Sequence, residues 1–174
     1  MFERITKDTF DMVYSILEEV FPVEELREKE GQKALLDKEQ YRLYGIKTDC
    51  GIIQGVVALW DFCGFLYIEH LAIAVAFRNE GVGGNMLEAM INRAAKAIVL
   101  EVEVPENDLQ KRRVGFYERH GFFCNMYPYL QPPLRKGLDM LPLRLMTYPE
   151  PISEDIYKKY KEILYKNVFD CEEV

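Results

Sequence analysis

The chain has 174 residues, of which 49% are hydrophobic and 29% charged, enough apolar material to bury the core of one domain and to exclude general disorder. Its 22 Lys and Arg against 29 Asp and Glu leave a formal charge of −7, which argues against nonspecific nucleic-acid binding and reads first as a solubility feature. Cys50, Cys63, Cys124 and Cys171 show neither C-x-x-C spacing nor a neighbouring His-x-x-x-His, so free thiols, no metal site and a cytoplasmic setting are expected.

The opening Met1-Phe2-Glu3-Arg4 mixes charges at once and reads as no leader. Residues 2–5 suit a short strand. Residues 6–21 read as a helix capped by Asp8, with Phe10, Val13, Tyr14, Leu17 and Phe21 on one face and Pro22 as its stop. A second, charged helix is predicted over residues 24–38. Three β-type runs follow at 41–48, 51–62 and 65–75, joined by Asp49-Cys50-Gly51 and Cys63-Gly64 as hairpin turns. Within them, residues 51–60 form the longest apolar run, too short to span a bilayer. A helix is predicted over 85–97, a strand over 97–104, and a helix from the capping-box pair Asn107 and Gln110 to just before Gly121. Residues 122–129 and 141–148 read as a last strand pair around a loop carrying Pro132, Pro133 and Gly137. A C-terminal helix occupies about 153–169, with Ser153 at its cap.

The most informative segment is a strand, then Arg78-Asn79-Glu80-Gly81-Val82-Gly83-Gly84, then a helix. Glycines there permit positive φ and unobstructed N–H groups, and a helix N-terminus adds a positive dipole end. Together these favour a phosphate or pyrophosphate, which Arg78 can also contact. The same pattern also serves as a purely structural turn. A Walker A loop is excluded because Asn85 stands where Gly-Lys-Ser/Thr is needed. A dinucleotide fingerprint wants a glycine where Met86 stands. Glu101 lies twenty residues beyond Gly81, but the turn follows a meander, with a single helix–strand unit behind it, and no doubly wound half can be built.

Residues 68–87 resemble the central motif of the GNAT superfamily of acyl-CoA N-acyltransferases, an L-A-V-type strand end followed by R/Q-x-x-G-x-G/A and a helix. Leu100-Glu101-Val102 and then Phe116-Tyr117-Glu118-Arg119-His120-Gly121-Phe122 resemble the family's later strand and FYxxxGF segment. The two motifs stand in the right order, and the likeness covers roughly residues 40–130. It implies an α+β, three-layer α/β/α fold. Its central sheet would be mixed and mostly antiparallel, of six to seven strands with helices on both faces. The strands at 65–75 and 98–104 would splay to admit acetyl-CoA, in a single domain over residues 1–174.

The same resemblance implies that the backbone of Leu71, Ala72 and Ile73 binds the pantetheine arm and polarises the thioester carbonyl. Arg78, Asn79, Glu80, Gly81, Val82, Gly83 and Gly84 would hold the pyrophosphate. Asn107 matches the family's asparagine near the pantetheine, although more residues than usual separate it from Tyr117. The activity implied is acetyl-CoA-dependent N-acetylation of a primary amine on a small molecule or peptide, by direct transfer in a ternary complex. The alternative is a noncatalytic acyl-CoA-binding or interaction module of the same fold. Either would act as a monomer or homodimer, without nucleic acid, membrane or metal.

Thioester aminolysis needs a neutral amine, a polarised carbonyl and a proton for the departing thiolate. A phenol suits the last need, because phenol and thiol pKa values lie within about two units of each other. Tyr117 matches the family position for this acid; otherwise it is a core aromatic. Glu69 and Glu101 match positions where family members carry a catalytic base, each acting directly or through water. Alternation puts Leu100 and Val102 on one face of their strand and Glu101 and Glu103 on the other, so a solvated face also explains the glutamates. Many members lack a dedicated base altogether and rely on positioning.

His70 is expected on the opposite side of its strand from Glu69, and His120 at a helix C-terminus. Lys111, Arg112 and Arg113 form either a solvated helix face or a contact with the CoA phosphates, with Arg113 favoured for the contact. Nothing near Cys124 marks it as a nucleophile. The acceptor is expected between the first two helices and the loop at 130–141, and the acidic chain suits a cationic amine.

Overall fold

The computed structural model describes residues 2–171; Met1, read above with the N-terminus, and 172–174, the end of the expected domain, lie outside them. The chain divides into a unit ending at Ile98 and a unit starting at Val99. The first contains β1 (Phe2–Arg4), α1 (Phe10–Val20), α2 (Lys29–Ala34), β2 (Tyr41–Lys47), β3 (Ile53–Asp61), β4 (Phe65–Ile73) and α3 (Val82–Ile91). Strands β1 to β4 pair in sequence order, each antiparallel to the last. Two tight turns make this meander. Gly51 N–H donates to Thr48 O at 3.0 Å with Gly51 at φ 82, and Phe62 N–H donates to Phe65 O at 3.0 Å across Cys63-Gly64.

Helices cover both faces of these strands. Gly45 looks toward Val13 of α1, and its partner is Val56; the next residue along, Gly55, looks toward Met86 of α3. Successive strand residues point to opposite faces, so α1 and α3 lie on opposite sides. From α1, Phe10, Val13, Tyr14 and Leu17 are buried, each contributing about 1.5–3 kcal/mol on transfer from water. From α3, Met86, Leu87 and Met90 are buried.

The helices of this unit differ from expectation. Helix α1 starts at Phe10 with Thr9 as N-cap rather than Asp8. Residues 6–9 close on themselves instead, through Thr6 N–H to Thr9 Oγ1 at 3.1 Å and Thr9 N–H to Thr6 O at 3.2 Å. The helix expected over 24–38 is three short pieces: a 3₁₀ turn at Val23–Glu25, α2, and a second 3₁₀ turn at Leu35–Asp37. Leu26 between them is extended and buried, so a tertiary contact overrides local helix propensity. Helix α3 begins at Val82, which places Gly83 and Gly84 in its first turn, and it ends at Ile91. Beyond it, Lys96 is drawn to Asp61 and to the carbonyl of Phe62.

The second unit contains most of β5 (Ala97–Glu103), then α4 (Asp108–Arg119), β6 (Phe123–Cys124), β7 (Tyr129–Gln131), β8 (Leu141–Tyr148) and α5 (Glu154–Asn167). Strand β8 lies between β5 and β6, and β7 also pairs with β8. The fold is thus mixed α/β with an open, mostly antiparallel sheet and eight strands among the described residues, one more than the upper expectation. The extra strand arises because 122–129 is split. Buried Asn125 donates from Nδ2 to Leu145 O at 3.1 Å and Thr147 Oγ1 at 3.0 Å, and its Oδ1 accepts Ile152 N–H at 3.1 Å. The chain between β6 and β7 is thereby held off the ladder, with Pro128 unable to donate.

Helix α5 has a clear structural task. Ser153 caps its start, accepting Ile156 N–H at 3.4 Å. Its Tyr157 and Tyr165 hydroxyls donate to the carbonyls of Pro128 and Leu130. Those carbonyls flank Tyr129, which pairs with Leu143 of β8, so the helix covers the free side of β7. Burial, then Tyr157, Cys171 and Glu101, push the Tyr165 phenol up to about 12, so it stays a donor at neutral pH.

Candidate active site

The turn after β4 leaves its backbone amides open to approach. Strand β4 ends at Ile73, a 3₁₀ turn covers Val75–Phe77, and Arg78 returns to extended backbone, its Nε donating to Ile73 O at 3.4 Å. Asn79 and Gly81 then take left-handed φ of 65 and 78. Gly81 is the N-cap of α3, with open space where a Cβ would stand. The first helical bond runs from Asn85 N–H to Gly81 O at 3.1 Å, so the N–H groups of Val82, Gly83 and Gly84 precede the intrahelical ladder and point out along the axis. Arg78, Asn79, Glu80 and Gly81 are exposed. The result is a concave set of amides at the positive end of a helix dipole, with a guanidinium beside it. Leu71, Ala72 and Ile73, which lead into it, pair with Val57, Val56 and Gly55 of β3.

Glu69 occupies a different kind of place. Ala58 pairs with His70 while Leu59 pairs with Ile68, so Glu69 is the extra residue of a β-bulge, a device that re-aims side chains. Its side chain is 3% exposed. One oxygen takes Arg27 in an ion pair, and the other accepts Trp60 Nε1 at 3.0 Å. Burial alone would raise the Glu69 carboxyl, but Arg27 and His70, with the hydrogen bonds from Arg27 and Trp60, hold it below the ordinary carboxylate range. Burial would lower the Arg27 guanidinium, and Glu69 more than offsets it. The bulge also defeats the expected alternation. His70 does not stand clear of Glu69, because its Nδ1 lies 3.9 Å from Glu69 Oε2. Its Nε2 meets Glu25 O at 2.8 Å, which assigns the ring proton to Nε2 and leaves Nδ1 without a hydrogen bond. Burial depresses His70, outweighing the pull of Glu69, so the ring is neutral at pH 7.

In the second unit, Tyr117 lies on the buried side of α4. Its ring is held edge-on by Phe116 at 5.1 Å and Phe122 at 5.8 Å, the aromatic members of the FYxxxGF segment. Glu101 of β5 accepts the Tyr129 hydroxyl. Asn107 is the N-cap of α4. Its Oδ1 accepts Gln110 N–H at 2.9 Å, and Gln110 Oε1 accepts Asn107 N–H at 3.0 Å, so the capping box gives Asn107 a structural task. Arg113 pairs with Glu103 at 2.6 Å on a part-exposed face. His120 ends α4 with Nδ1 2.8 Å from Phe116 O. Burial pushes the Cys124 thiol up, Arg144 opposing and Glu118 adding to the rise, the reverse of an activated nucleophile.

Sequence reasoning did not find Arg27, Trp60 or Tyr129 as partners of the two glutamates. The signals were faint: an arginine amid a charged stretch, the only tryptophan of the chain, and a tyrosine flanking a loop.

The chain is similar to known proteins. Residues 39–123 match the family model "Acetyltransferase (GNAT) domain". A protein of Bacteroides thetaiotaomicron, described as "Putative acetyltransferase from GNAT family", has a solved structure that superposes with a TM-score of 0.90 at 35% identity, covering 97% of this chain and 98% of that one. The chain belongs to the GNAT acetyltransferase family. "Putative acetyltransferase YjbC" of Bacillus subtilis (strain 168) is 34% identical over 111 residues, a match spanning 63% of this chain and 55% of the relative's length. A GNAT family acetyltransferase of Elizabethkingia anophelis, solved with acetyl-CoA bound, shares the fold at 22% identity with a TM-score of 0.61, covering 84% of this chain and 95% of that one. No helix among the described residues is long and apolar enough to cross a membrane.

Proposed function

We propose that the chain moves an acetyl group from acetyl-CoA to a primary amine of a small molecule or peptide, by direct transfer in a ternary complex. The observation that carries this reading is the turn of Arg78 to Gly84, where left-handed Asn79 and Gly81 open onto the first N–H groups of α3. Its donors suit a diphosphate. The acetyl-CoA bound in the Elizabethkingia relative lends support to this choice of ligand. Backbone N–H groups of Leu71, Ala72 and Ile73 then orient the pantetheine and draw charge onto the thioester oxygen.

The amine nitrogen attacks the carbonyl carbon, the C–S bond breaks, and Tyr117 gives its phenol proton to the sulfur. The proton shed by the new amide nitrogen restores Tyr117 through water. Glu69, held ionised by Arg27 with both oxygens occupied, is a poor proton acceptor. Removal of the proton from the incoming ammonium therefore falls to Glu101 or to the neutral fraction of the amine. The −7 charge favours a cationic acceptor.

Calorimetry with acetyl-CoA and a thiol-release assay over an amine panel test this reading. Absence of acetyl-CoA binding at high micromolar ligand overturns it, and binding with no turnover on any amine supports the noncatalytic module instead. Tyr117→Phe should lower kcat by about 10²-fold or more and leave acetyl-CoA affinity unchanged. An unaltered kcat removes Tyr117 from the mechanism.

A further inference from the structure

A second concavity, of about 300 Å³, lies in the first unit near the C-terminal end of α3 and is unrelated to the glycine turn. That volume is at the lower end for small-molecule sites. Leu59, Leu66 and Met90 give it an apolar floor, and Tyr44 and Phe2 line it as well, their rings edge-to-face at 6.2 Å. Arg42 and Arg93 supply its charge.

The charge there is not neutralised. Arg42 Nη1 donates to the carbonyls of Glu39 and Tyr41, which fix the guanidinium without cancelling it. Arg93 lies 5.1 Å over the Phe2 ring. Neither arginine has a carboxylate partner among the described residues. Asp61, the carboxylate lining the cleft, is engaged by Lys96. Two arginines thus line the cleft with one aspartate that Lys96 already pairs, in a chain whose net charge is −7. A cation near the end of a helix is favoured by the helix dipole, which accounts for Arg93. It does not account for Arg42, which comes from β2.

We infer that this cleft binds a small carboxylate with an aromatic body, the ring on the Leu59, Leu66 and Met90 floor and the carboxylate between Arg42 and Arg93. Guanidinium groups match a carboxylate in both charge and geometry, and the Phe2 and Tyr44 edges suit a third ring.

Phenylacetate is the probe, with phenethylamine (similar body, opposite charge) and acetate (same charge, no body) as comparators, followed by amide-resolved NMR titration of the intact chain. Phenylacetate should bind at least about tenfold tighter than either comparator, the equivalent of one charge-assisted contact or of a buried ring. Its shift changes should centre on Leu59, Leu66 and Met90 and persist with saturating acetyl-CoA. Arg93→Gln, at an exposed position where the melting temperature should hold, should weaken phenylacetate about tenfold, and Arg93→Lys should restore part of the loss. Equal binding of phenethylamine, an unchanged affinity in Arg93→Gln, or shifts centred on the glycine turn overturns the assignment. The last outcome leaves the acetyl-CoA reading intact.

Discussion

Glu69 shows how a residue picked for its chemistry is defined by its neighbours. With its side chain 3% exposed and that of Arg27 11% exposed, the pair is stable only as a pair. Glu69→Gln strands the Arg27 cation and should lower unfolding free energy by about 3–5 kcal/mol, read from urea denaturation at pH 7. A loss below about 1 kcal/mol would mean the pair is solvated. The pH dependence follows from the same cluster. The carboxyl of Glu69 is held low, so its contribution is present above the ordinary value of 4.5 and is lost as pH falls through the depressed one. His70, depressed from 6.5, acts earlier. Below pH 6.5 the unfolded chain takes up a proton that the folded ring resists, so stability falls on acidification by up to about 1.4 kcal/mol per pH unit. His70→Gln should flatten the stability profile between pH 7 and 5, and a slope unchanged from the parent would place the titration elsewhere. The sequence shows Glu69 and His70 as neighbours on a strand. It does not show the bulge that brings both into one cluster, nor Arg27, 42 positions away.

The elements that read most clearly from sequence are those whose pattern is local. The β2–β3–β4 meander announces itself by tight turns, and α4 by its capping box. The segment over 24–38 misleads because its charges suit a helix, while three long-range ties bend it. These are Leu26 buried in the core, the Tyr14 hydroxyl on Arg27 O at 2.9 Å, and His70 on Glu25 O. Residues 122–129 mislead for a related reason, since only the fold reveals that Asn125 bonds to Leu145, Thr147 and Ile152. Gly55 lies where β3, β4 and α3 come close together. A Cβ there would stand 2.7 Å from Met86 Sδ, 2.8 Å from Ala72 O and 3.0 Å from Ile73 Cδ1. Met86 can yield, but a paired strand carbonyl cannot. Gly55→Ala should therefore cost about 1–3 kcal/mol in chemical denaturation, and full parental stability would show that β3 and β4 part easily.

At the scale of the molecule, two contiguous stretches, 68–87 and 116–122, disclose the family. A glycine turn at a helix start and an aromatic-flanked phenol are both written in adjacent residues. Other pairings join side chains far apart in the chain, such as Tyr129 and Glu101 at a separation of 28, and sequence order carries no record of such meetings. The two phenols of α5 have a further consequence. With Tyr157 and Tyr165 occupying the carbonyls of Pro128 and Leu130, the last helix is a guard against self-assembly. Truncation ahead of Ser153 would strip that guard and leave a bare border on which another chain could zip, and light scattering should then report more aggregation than for the intact chain.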